Sequence, residues 1–131
     1  MLVSVVIPTY NRLPILIKCL DALENQILND EIQNFEIVIV DDGSTDGTVG
    51  WLTNNIETYP HLRLFEQSHG GPALGRNLGV EKSRGDLIVF IDSDLVVDRY
   101  FLMNHVKSLF TAWEKLGNRK CFTYGSVINT S

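Results

Sequence analysis

Eleven lysines and arginines against sixteen aspartates and glutamates leave this 131-residue chain with a net charge of −5. No basic block or arginine-rich segment offsets that deficit, which argues against a nucleic-acid binder, because phosphates need Lys and Arg. Cysteine is scarce as well. Cys19 and Cys121 share no metal-ligand or redox spacing and read as reduced packing residues of a cytosolic protein. The apolar start "LVSVVIP" after Met1 is too short to span a bilayer and lacks the basic flank of an export signal. Glycine is missing where a dinucleotide fold would need it, since the loop after the first apolar run is "TYNRLP" rather than G-x-G-x-x-G. The absence of G-x-x-x-x-G-K-[ST] excludes a P-loop. Repeats, low-complexity tracts and linkers are also absent, so residues 1–131 read as one domain, and 44% hydrophobic residues supply its core.

Four apolar, β-branched runs are present, at residues 2–7, 35–40, 62–65 and 87–91. "SVVIP", "EIVIV" and "LIVFI" are nearly continuous rather than alternating, the pattern of strands covered on both faces. Helical spacing fills the intervals. Leu16, Leu20, Leu23 and Ile27 recur at intervals of four, three and four, which predicts a helix starting near Pro14 with one apolar stripe. Further helices are expected over 48–56, with Trp51 or Leu52 inward, over 72–83, and over 99–116, the last carrying His105 and Trp113 into the core. A last strand is expected over 121–128, and the polar stretch 28–34 reads as a surface loop. The alternation gives an α/β fold with a mainly parallel sheet and helices on both faces.

Polar residues gather after each run: "PTYNR", "DDGSTDGT", "QSHGG" and "DSD". Any one of these is good turn chemistry by itself. Four on the carboxyl edge of one parallel sheet mark a ligand crevice. Asp41 or Asp42 can accept hydrogen bonds from a ribose hydroxyl or a base imino N–H. Asp92 and Asp94 can offer oxygens to a hard divalent cation, which completes its shell with phosphate and water. The glycines of "HGGPALGRNLG" allow close backbone approach and helix packing, and the helix start there suits an anion.

Together "SVVIPTYNR", "EIVIVDDGSTDGT" and "GGPALGRNLGVEKSRGDLIVFIDSD" resemble the nucleotide-binding half of family 2 glycosyltransferases with the Rossmann-like GT-A fold. The resemblance runs through essentially the whole chain in order and spacing. It implies transfer of a sugar from a nucleotide diphosphate donor, usually UDP-linked, to an acceptor hydroxyl of a saccharide or lipid-linked saccharide, with inversion. By position it places Pro8, Thr9, Tyr10 and Asn11 around the nucleoside and Asp41 on uracil. Asp42 would support the loop or reach the nucleoside, Arg76 would lie near base or phosphates, and Asn77 would brace its helix. Asp92 would lie near the ribose or the metal's water shell, and Asp94 would bind Mn²⁺ or Mg²⁺ directly. The family's base, and the acceptor half with it, is expected beyond Ser131, since Asp98 reads as a helix cap. The implied location is cytoplasmic, with membrane association left to a longer protein.

Rival readings are weaker. A receiver-type module needs an acidic pair after the first strand, where Pro8-Thr9-Tyr10 stands, and a nucleotidyltransferase needs a glycine-rich basic loop there. A non-catalytic nucleotide-binding fragment is the remaining alternative.

Overall fold

The computed structural model describes residues 1–116, with side chains described through residue 111. The expected strand at 121–128, Cys121 and the side chain of Trp113 lie outside the described residues. Within them the chain alternates β1 (Leu2–Thr9), α1 (Leu13–Glu24), β2 (Asn34–Asp41), α2 (Thr48–Asn54), β3 (Leu62–Glu66), α3 (Pro72–Lys82), β4 (Leu87–Phe90) and α4 (Phe101–Leu116). The strands form one parallel sheet in the order β3-β2-β1-β4. The chain therefore builds outward from β1 through β2 to β3, then crosses back to place β4 on the other side of β1. That reversal between β1 and β4 is the switch point at which open α/β sheets hold ligands.

Period two in the strands decides which helix covers which face. Val3, Val5, Ile7, Ile37, Ile39 and Val89 point to one side and are buried against Leu16, Leu20 and Leu23 of α1 and Leu102 and Val106 of α4. The opposite face carries Val6, Pro8 and Val40 and is covered by α3. A methyl group added at Gly75 would lie 3.0 Å from the Pro8 Cβ, and one at Gly79 would collide with the Val6 side chain. The two glycines thus let α3 approach nearer than any other residue type would allow.

The same face hides a polar cluster that the apolar run "FEIVIV" conceals. Glu36, buried in β2, accepts hydrogen bonds from Ser4 Oγ (2.5 Å), Arg63 Nη1 (2.7 Å) and the Arg84 N–H (2.7 Å). Burial raises its pKa, but these three donors and the Arg63 charge outweigh it and hold the carboxyl below its ordinary value. A buried carboxylate is tolerable here because each neighbouring strand and the α3–β4 loop supplies a donor.

Helix boundaries differ modestly from expectation. Ile27 lies beyond α1 and is exposed; Cys19 takes the place in the buried stripe that the pattern gave it. Chain direction changes there, because the Ile27 N–H donates to the Arg99 carbonyl at 2.7 Å rather than to α1. Of the α2 pair, Leu52 is buried, whereas Trp51 is half-buried with its ring 6.0 Å from Tyr59. The loop at 28–34 is largely exposed but anchored by the buried Ile32.

Candidate functional site

A cleft of about 670 Å³ opens at the carboxyl ends of β1 and β4. Pro8, Thr9 and Tyr10 end β1 and form one wall, Arg76 of α3 another, and Asp92 and Asp94 follow β4. Asp42 also reaches the cleft. Asn11 and Asp41 do not line it. Arg12, His69 and Ser93 do, each from one of the polar clusters "PTYNR", "QSHGG" and "DSD" though none was assigned a role.

Asn11 serves the loop rather than the cleft. It adopts the left-handed backbone region, with φ at +49°, which Asn tolerates better than most residues. Its N–H donates to Ser44 Oγ (2.9 Å) and its Oδ1 accepts the Thr45 N–H (2.7 Å). One residue past Arg12, the Leu13 N–H donates to Asp46 Oδ2 at 3.2 Å. The loops after β1 and β2 are in this way tied to each other beside the cleft.

Asp41 and Asp42 have separated roles. Asp42 is 4% exposed, and both its oxygens are used within the protein. Oδ1 accepts from Gln67 Nε2 and the Gly70 N–H, each at 2.8 Å; Oδ2 accepts from the Gly71 N–H at 3.0 Å and lies 3.0 Å from His69 Nδ1. Burial pushes this carboxyl's pKa up, yet the Gln67, Gly70 and Gly71 donors and the His69 charge more than compensate, so it lies below the ordinary 3.8. The anion that the glycine-rich α3 start was expected to attract is therefore the protein's own, at least at the Gly70 and Gly71 amides. Asp41 is different. Its Oδ2 accepts the Ser44 N–H at 2.9 Å, but its buried Oδ1 has no hydrogen-bond partner among the described residues. The buried Thr9 Oγ1, on the residue in register with Asp41 across β1 and β2, is likewise without one. Two buried polar atoms on adjacent strand ends are thus left without a partner among the described residues.

The opposite wall is charged and wet. β4 ends at Phe90, so Asp92 and Asp94 stand on the turn beyond it, roughly half exposed, with the intervening Ser93 buried. Alternation at the strand end thus turns both carboxylates to the same side. Each faces a guanidinium at long range: Arg12 Nη1 lies 3.7 Å from Asp94 Oδ2, and Arg76 Nη2 lies 3.9 Å from Asp92 Oδ1. Asn77, one residue beyond Arg76, is exposed with no bracing hydrogen bond described. Over the mouth, the Tyr10 and His69 rings lie 4.3 Å apart at a tilt of 35°, an exposed aromatic pair. Asp98 accepts the Tyr100 N–H at 2.8 Å and so caps the turn that leads into α4, as expected. Among the described residues, no group of three or more His, Cys, Asp or Glu side chains could hold a metal unaided, and no helix is long and apolar enough to cross a membrane.

Fold and cleft together define an α/β protein that takes its ligand across the carboxyl ends of parallel strands. The sequence model of glycosyl transferase family 2 matches residues 4–117, and the chain belongs to that family. A poly(ribitol-phosphate) β-glucosyltransferase of Bacillus spizizenii is 38% identical over 96 residues, which cover 72% of this chain and 15% of that protein. Among solved structures, residues 1–349 of Staphylococcus aureus TarS in complex with UDP-GlcNAc superpose with a TM-score of 0.72 at 28% identity, covering 87% of this chain and 32% of that one. The mannosyltransferase PcManGT of Pyrobaculum calidifontis, in complex with GDP-Man and Mn²⁺, gives 0.73 at 34% identity, over 82% of this chain and 32% of its own. The fold is accordingly the Rossmann-like GT-A fold. The chain spans between 13% and 40% of the length of the curated relatives it matches.

Proposed function

We propose that residues 1–131 form the donor-binding part of a glycosyltransferase that takes a nucleotide diphosphate sugar, with UDP as the favoured nucleotide. The observation that carries this reading is the division of labour between acidic residues on the cleft wall and one buried on the strand next to Thr9. Asp41 and Thr9 keep buried acceptor atoms open behind one wall, while Asp92 and Asp94 keep exposed oxygens open on the other. We assign an imino N–H of a pyrimidine or purine base to Asp41, whose buried Oδ1 must be uncovered at the β1–β2 end as the base enters, and uracil has one at N3. Pro8, Thr9 and Tyr10 enclose the nucleoside, with Tyr10 and His69 as a surface on which a ring can lie.

A divalent cation fits the second wall. Two hard carboxylate oxygens in a roomy, hydrated cleft are the donor set for a cation that draws its remaining ligands from phosphate and water, as Mg²⁺ or Mn²⁺ does. Asp94 and Asp92 would hold it, and the Mn²⁺ bound by PcManGT supports the use of a divalent cation. Such a cation supplies charge stabilisation for the departing nucleoside diphosphate. Arg76 contributes positive charge on the same side. Asp42 keeps the β3–α3 loop in place at the edge of the cleft. Inversion at the anomeric carbon follows from the family resemblance, and it requires a base that deprotonates the acceptor hydroxyl. We assign that base, and the saccharide or lipid-linked saccharide acceptor site, to sequence beyond Ser131. By itself the chain then binds donor without transferring sugar, and it operates on the cytoplasmic side, where nucleotide sugars are held.

Calorimetry tests the base-reading role. In Mn²⁺, UDP binds more tightly than ADP, because adenine has no imino N–H to offer Asp41. Asp41→Ala weakens UDP by about tenfold or more, the loss of one hydrogen bond to a charged group. Equal affinities for UDP and ADP would remove Asp41 from nucleotide recognition.

A further inference from the structure

Arg12 stands on backbone that is fixed from both sides. Before it, Asn11 is locked by its bonds to Ser44 and Thr45. After it, the Leu13 N–H is held by Asp46, and the Arg12 carbonyl itself accepts the Leu16 N–H at 2.9 Å to begin α1. The side chain is free by contrast, 54% exposed, and its guanidinium is aimed into the cleft. Its 3.7 Å approach to Asp94 is an ion pair without hydrogen-bond geometry, too long and too wet to serve the fold. A fixed backbone, an exposed charged tip and a loose partner are the attributes of a residue that changes partners.

Resting on the donor-site reading above, we infer that Arg12 is a positioning residue. It neutralises Asp94 in the cation-free cleft, yields that carboxylate to a divalent cation, and turns its guanidinium to the diphosphate. The planar fork suits phosphate oxygens, which it can bind bidentately. The geometry gives Arg12 opposite effects on the two ligands. Toward a bare cation it is a competitor of like charge for the same oxygens. Toward a diphosphate it is an attractor. A residue of purely structural value would move both affinities in the same direction when lost.

The test uses the chain as it stands and two variants, Arg12→Gln and Arg12→Lys. Mn²⁺ alone is titrated by electron paramagnetic resonance of the free ion, and UDP is titrated calorimetrically at saturating Mn²⁺. Arg12→Gln binds bare Mn²⁺ more tightly by about 1.4- to 5-fold, the range for releasing one exposed ion pair. The same variant binds UDP about tenfold or more weakly. Arg12→Lys keeps the wild-type Mn²⁺ affinity and recovers part of the UDP affinity, because its charge remains while the fork is lost. If Arg12→Gln weakens both ligands, or alters neither in a wild-type background that binds both, the role of Arg12 is overturned and the donor site stands. If the wild-type chain binds no UDP in Mn²⁺, the donor-site reading falls and the role of Arg12 falls with it.

Discussion

Replacing Asp42 by Asn removes a charge from a carboxylate whose two oxygens receive three hydrogen bonds and the His69 contact. The amide must present its NH₂ group to one side or the other. Placed at Oδ1 it faces Gln67 Nε2 and the Gly70 N–H; placed at Oδ2 it faces the Gly71 N–H and His69. Gln67 can turn its own amide and His69 can change tautomer, but a backbone N–H can do neither. One part-buried amide, Gly70 or Gly71, therefore loses its acceptor in either arrangement, at about 1 kcal/mol or more. Neutral acceptance on the other side adds to that, giving a total of about 2–4 kcal/mol. Urea unfolding of the ligand-free chain at neutral pH measures the difference. The sign with pH follows from a carboxyl whose pKa is held below 3.8 in the folded state. Its contribution is complete above the unfolded value and disappears as pH falls through the lower folded value. The gap between wild type and Asp42→Asn is thus full at neutral pH and closes only in strong acid. A variant as stable as wild type at neutral pH would refute the account of Asp42 as the organiser of the β3–α3 loop.

Two further outcomes concern the scaffold. Gly79→Ala drives a methyl group into Val6, a β-branched residue at 0% exposure in the central strand, so overpacking of about 1–3 kcal/mol exceeds the roughly 1 kcal/mol of helix propensity gained; chemical denaturation shows a net loss. Burial on α4 beside Phe101 pushes the His105 imidazole down from 6.5 to about 4, so the native state resists protonation. Stability then falls as pH drops from about 6.5 towards 4, by at most about 3 kcal/mol, and His105→Gln loses that part of the slope in denaturation curves collected across the range.

The sheet was legible because "SVVIP", "EIVIV" and "LIVFI" are too continuously apolar to leave either face in water, and all three became parallel strands. Strand ends carrying Tyr10, Asp42 and Asp94 were legible for a related reason, since polar residues directly after buried strands have only the sheet edge to occupy. What stayed hidden depends on pairing across the chain. Nothing local distinguishes Asp41 from Asp42; the difference lies in Gln67, Gly70 and Gly71, more than twenty residues away, which claim one and leave the other. Glu36 carries no signal of its own in "EIVIV", because its partners Ser4, Arg63 and Arg84 come from three other segments. Arg12 was passed over as the last letter of a loop, and only the fixed α1 start shows where its side chain reaches. Ile27 continued the spacing of α1 but not the helix, which hydrophobic periodicity alone does not register.

The central claim is that Asp94 and its neighbour Asp92 join a cation to a nucleoside diphosphate in this cleft. Thermal melts of wild type and Asp94→Asn, with UDP, with Mn²⁺ and with both, test it directly. Asp94 is about half exposed and loosely paired, so the ligand-free variant should match wild type within about 0.5 kcal/mol. Wild type should gain more from UDP and Mn²⁺ together than from the sum of either alone, the gain from UDP in saturating Mn²⁺ being about 2.7 kcal/mol at a hundredfold excess over its dissociation constant. In Asp94→Asn that excess should vanish. An undiminished joint gain in the variant, or no joint gain in wild type, would contradict the account.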